Sequence, residues 1–80
     1  MHYPDGQLVC VGDVVTIDRT HQGTVVACIE EGRYLPPHSK EQWGYLERGV
    51  MIDTSYGGLV HYPDQDRFDT ERCVLVRRQP

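Results

Sequence analysis

Two β-branched runs separated by a short polar gap constrain this chain more than any other feature. Val11-Gly12-Asp13-Val14-Val15-Thr16-Ile17 is followed, after Asp18-Arg19-Thr20-His21-Gln22, by Gly23-Thr24-Val25-Val26-Ala27-Cys28-Ile29. Val, Ile and Thr are stiff at χ1 and pack well on a pleated surface. The pattern predicts a strand over residues 14–18, a turn closed by Gln22-Gly23 and a second strand over 24–30. Val14 and Thr16 fall on one face of the first strand, Val15 and Ile17 on the other. Three further apolar runs predict strands over 49–53, 59–62 and 73–77, with turns at Thr54-Ser55-Tyr56-Gly57-Gly58 and Pro63-Asp64-Gln65-Asp66.

The stretch between the second and third of these strands has a different character. Gly32, Pro36 and Pro37 do not suit a central strand. Ser39 followed three residues later by Gln42 is a capping-box pattern, so a short helix is expected from Lys40, with Trp43 and Leu46 on one side of it. Gly44 limits that helix to about two turns. Connections as long as 31–48 are uncommon in small domains and often carry function. The tetrapeptide His2-Tyr3-Pro4-Asp5 recurs as His61-Tyr62-Pro63-Asp64, but the flanks differ, so both copies are read as turns that use the same chemistry.

Eighty residues make one domain over 1–80, and 39% hydrophobic with 25% charged residues is a globular composition. The expected fold is all-β: a five-stranded antiparallel barrel with one short helix in a long connection, which leaves few exposed edges. A formal net charge of −4 disfavours nucleic acid, whose binding rests on Lys and Arg neutralising phosphates, and fits a basic protein partner or no charged partner at all. Cys10, Cys28 and Cys73 are odd in number and sit among β-branched residues, so all three are read as free cysteines in strands, in a reducing compartment. No charged and apolar leader opens the chain, and no apolar run approaches the ~20 residues of a membrane span. The expectation is a soluble cytoplasmic protein.

The Val11-Gly12-Asp13-Val14-Val15 segment followed by Gly23-Thr24-Val25-Val26 resembles the opening hairpin of SH3-like barrels, including KOW- and Tudor-type modules. That resemblance implies the SH3-like form of the barrel over residues 11–30 and, more loosely, 49–62. It implies no single function, because such barrels host many. The segment Trp43-Gly44-Tyr45-Leu46-Glu47-Arg48-Gly49-Val50-Met51-Ile52-Asp53 with Gly57-Gly58-Leu59-Val60-His61-Tyr62 also resembles a group of small uncharacterised bacterial proteins. In size, charge and compartment the chain is similar to immunity proteins, which neutralise a toxin.

No residue set has the form of a reaction centre. The cysteines lack the short paired spacing of a zinc site, and Ser39 and Ser55 read as cap and turn residues. Neither a metal nor a cofactor is expected, and the protein is read as a non-enzyme. The candidate partner-binding residues are Tyr34, His38, Glu41, Trp43, Tyr45, Tyr56 and Tyr62, because aromatic side chains in connections often supply interface energy. Trp43 has a second reading, as a plug over one end of the barrel. Glu30, Glu31, Glu41, Asp64 and Asp66 would attract a basic toxin or effector. The alternatives are a nucleic-acid module using Arg19, Arg33, Lys40, Arg48, Arg77 and Arg78, and a ligand binder or enzyme with His61 and Tyr62 at a barrel mouth. A monomer or weak homodimer is expected.

Overall fold

The computed structural model describes residues 1–78. It is mainly β, and one antiparallel sheet holds every strand. The elements are β1 (Val14–Ile17), β2 (His21–Cys28), β3 (Arg33–Tyr34), α1 (Lys40–Trp43), a 3₁₀ turn (Gly44–Leu46), β4 (Val50–Thr54), β5 (Gly58–Tyr62), α2 (Gln65–Thr70) and β6 (Val74–Arg77). The ladder runs β5-β4-β2-β1-β6, so the last strand lies beside the first, and β3 pairs with the end of β2. Among the described residues no ladder joins β5 to β6.

The five expected strands form, and a two-residue sixth, β3, joins them. The first turn is tighter than the sequence pattern implied. His21 and Gln22 are already paired with Ile17 and Thr16, and the chain turns through Asp18 and Arg19 at φ 50° and 66°. The helix from Lys40 is present, and the Ser39 hydroxyl accepts the Gln42 amide at 3.3 Å. A second helix, α2, begins within the segment read as a turn and runs on to Thr70. Asp64 caps it, accepting the Arg67 amide at 2.9 Å.

A bulge in β2 gives the sheet two apolar faces. Val25 opposes Ile52 and Ala27 opposes Met51, so Val26 is an extra residue. Val26 and Ala27 both turn outward, while Val25 and Cys28 both turn inward. The inner core gathers Val15, Ile17, Val25, Cys28, Val50 and Ile52 with Tyr3, Val9, Tyr62, Phe68 and Cys73. The outer cluster is Val26, Ala27, Ile29 and Met51.

The two copies of His-Tyr-Pro-Asp meet in the inner core. Phe68 of α2, fully buried, lies 5.8 Å from the Tyr3 ring and 6.0 Å from the Tyr62 ring. Gln65 ties the N-terminal copy to the same helix: its Oε1 accepts the His2 amide and its Nε2 donates to the His2 carbonyl, both at 2.8 Å. Such aromatic packing adds about 1 kcal/mol per pair beyond area burial.

The N-terminal segment is also fixed by Asp13, which is 1% exposed. Its Oδ2 accepts the Tyr3 hydroxyl at 2.6 Å and the Cys10 amide at 2.9 Å, and its Oδ1 lies 3.5 Å from Arg78. Burial first, and then the hydrogen bond to this carboxylate, raise the Tyr3 phenol well above the usual range, so it stays a donor. Arg78 also donates to the Leu8 carbonyl at 2.9 Å, which joins the chain beyond β6 to the segment ahead of β1.

Candidate functional site

The 31–48 connection folds back over the outer cluster. Tyr34 sits opposite Ala27, and the Leu35 amide donates to the Val26 carbonyl at 2.8 Å. Tyr34, Leu35, Trp43 and Leu46 then pack on Val26, Ala27, Ile29 and Met51. The Trp43 indole N–H donates to His38 Nδ1 at 3.1 Å, and the two rings lie 6.4 Å apart. At the far end, Glu30 accepts the Gly49 amide at 3.1 Å and His61 Nε2 donates to the Arg48 carbonyl at 2.8 Å. The connection is therefore a packed flap with its own small core.

This arrangement separates the expected binding residues. Trp43 does not plug the barrel end: it is half-buried on the outer face of the sheet, where the β2 bulge turns Val26 and Ala27 toward it. Tyr34 and His38 are likewise half-buried supports. Because Trp43 and Leu46 face the sheet, Tyr45 between them projects outward and is 73% exposed. Glu41, one helical turn earlier, and Glu47 are exposed with it. Glu47 holds φ at 68°, a left-handed backbone that bulky side chains rarely adopt.

Tyr56 lies elsewhere, on the β4–β5 turn at the opposite end of the sheet. It is 48% exposed and packs on His21, with ring centroids 4.5 Å apart. Tyr62 is a correction: it is 1% exposed and belongs to the inner core, because strand alternation places it on the same side as Val60. Its neighbour His61 points to the other face, opposite Met51, so the pair do not share a barrel mouth. Of the seven expected residues, the fold gathers Tyr34, His38, Glu41, Trp43 and Tyr45 on the flap and leaves Tyr56 and Tyr62 apart. Asp64 and Asp66 sit at the start of α2, while Glu30 is drawn into the flap's hinge.

The sequence reading did not single out the part of the outer face that the flap leaves open. Arg77, Val14, Thr24, Asp53 and Leu59 form one cross-strand row over β6, β1, β2, β4 and β5. Val74 and Val76 extend it on β6 at 45% and 47% exposure. The available signal was the alternation in Cys73-Val74-Leu75-Val76, which puts Leu75 inward and the valines out.

Chemically, the polar groups are mostly tied into the fold. Burial pushes the Cys28 and Cys73 thiols up to about 12, so both stay protonated near neutral pH. Among the described residues no three His, Cys, Asp or Glu side chains converge on one point that would hold a metal ion, and no helix is long and apolar enough to cross a membrane. No protein-family model matches the chain, and neither a curated protein nor a solved structure is significantly similar to it.

Proposed function

We propose that this protein is a non-catalytic, cytoplasmic protein-binding module that blocks a basic partner, in the manner of an immunity or antagonist protein. The crest of the flap makes the contact. One observation carries this reading. Tyr45 is the most exposed aromatic side chain, and it stands on a segment whose other large apolar side chains are packed down. A rigid tyrosine on a fixed platform loses little entropy on binding, which is the profile of an interface anchor. Glu41 and Glu47 beside it would attract cationic groups and speed association. The strand order, with β6 beside β1, supports the SH3-like form of the sheet. The net charge of −4 weighs against the nucleic-acid alternative.

The test is capture of partners from the native host by the wild-type chain, by Tyr45→Ala/Glu47→Lys, and by Val74→Asp/Val76→Asp. A partner held by the wild-type chain and by the β6 variant, but at least about thirtyfold more weakly by the flap variant, is the expected result. Its binding should weaken as salt rises. A partner lost only with the β6 variant would move the site to the open sheet face and overturn the proposal.

A further inference from the structure

A cleft of about 410 Å³ opens away from the flap, between three separate parts of the chain. It is lined by Pro4 of the N-terminal turn, Arg19 of the β1–β2 turn, Asp69 near the end of α2, and Arg72, Cys73 and Val74 leading into β6. Its size falls within the range of small-molecule sites. Pro4, Cys73 and Val74 give it an apolar lining. The walls are fastened to one another. The Asp18 amide donates to the Glu71 carbonyl at 2.9 Å, which clamps the β1–β2 turn to the end of α2. Tyr3, next to Pro4, is held against Phe68 of the same helix.

The two arginines are the unusual part. Arg19 and Arg72 have φ of 66° and 53°, left-handed positions where glycine or asparagine is the unstrained choice. They bring two arginines to a cleft whose walls come from distant parts of the sequence. Among the described residues neither lies within ion-pair distance of a carboxylate; the pair formed is Arg78 with Asp13. Asp69, the one acid of the lining, instead accepts from Gln65 Nε2 at 2.8 Å. On a chain of net charge −4, this cleft brings together two cations and one acid.

We infer that the cleft binds a small organic carboxylate carrying an apolar body. The carboxylate is taken by the fork-shaped donors of Arg19 and Arg72, and the body rests on Pro4, Cys73 and Val74. Arginine suits this role because its planar donors match the two carboxylate oxygens. A bare anion would gain nothing from the apolar lining, and an uncharged analogue would leave both cations unmatched.

Amide chemical shifts of the full chain, titrated with benzoate, benzyl alcohol and inorganic phosphate, test this. Saturable shifts at Arg19, Arg72, Cys73 and Val74 are expected with benzoate, with a Kd of about 1 mM or below. Arg19→Gln/Arg72→Gln should weaken benzoate at least about tenfold. Both arginines are exposed, so that variant keeps its fold, which the same spectra check directly. The inference is overturned by the absence of saturable benzoate shifts, by equal binding in the variant, or by benzyl alcohol or phosphate binding as tightly as benzoate.

Discussion

Asp13→Ala lowers the unfolding free energy by about 3–5 kcal/mol, a large share of the roughly 4–12 kcal/mol expected for a domain of this length. The carboxylate is 1% exposed and accepts two hydrogen bonds on one oxygen. Truncation removes the acceptor for the Tyr3 hydroxyl and the Cys10 amide, and burying them unsatisfied costs about 1–3 kcal/mol each. The ion pair with Arg78 matters less, because that side chain is 37% exposed and the separation is 3.5 Å. Asp13→Asn separates the two effects. Its amide oxygen can take the place of Oδ2 and keep both hydrogen bonds, while its NH2 replaces Oδ1 and faces the Arg78 guanidinium, donor against donor. Urea unfolding should rank Asp13→Ala lowest, with Asp13→Asn between it and the wild type and Arg78→Ala close to the wild type. Equal damage from Ala and Asn would mean that charge, not hydrogen bonding, fixes the N-terminal segment.

Gly49→Ala is the second severe change, and it isolates space from backbone conformation. Gly49 leads into β4 with φ +89°. A Cβ there would collide with the Tyr62 carbonyl oxygen and stand 2.8 Å from Pro63 Cα, both backbone atoms that cannot rotate away. Moving them would disturb the Val50–Tyr62 pairing and the flap's hinge, where Gly49 also bonds Glu30 and Ile29. A loss of about 3–5 kcal/mol is expected. Gly6→Ala is the control. Its φ of +91° is nearly the same, but nothing lies within 4 Å of the added carbon. That change should cost only the conformational strain, about 1–2 kcal/mol. Thermal unfolding of the two variants side by side measures the difference. Similar losses would show that φ alone, and not the close approach of β5, requires glycine at 49.

The strands were legible because β-branched residues alternate cleanly between faces, as in Val14-Val15-Thr16-Ile17. The helix at Lys40 was legible because Ser39 marks its start. What escaped was structure held by distant contacts. Helix α2 carries a single buried residue, Phe68, so it has no apolar periodicity to read; Asp64 as its cap was the only local sign. Tyr62 was misplaced on the surface although period-two alternation from Val60 points it inward. The β2 bulge at Val26 decided the fate of the flap, since it turned two consecutive apolar residues outward and gave Trp43 something to cover. No spacing rule predicts such a bulge from Gly23-Thr24-Val25-Val26-Ala27-Cys28. The Arg19–Arg72 cleft was likewise invisible, because contacts between distant segments, the Asp18–Glu71 hydrogen bond and the Tyr3–Phe68 packing among them, bring its walls together.

The account depends most on the 31–48 segment being a platform with its own core, fixed before any partner arrives. Native-state hydrogen exchange of the Leu35 amide and the Trp43 indole N–H measures that directly. Both donate inside the flap, to the Val26 carbonyl and to His38 Nδ1. Protection approaching that of the β2–β4 ladder is the predicted result. Exchange at the rate of an open chain, with the sheet still protected, would contradict it, because Tyr45 would then stand on a loose loop and not on a platform.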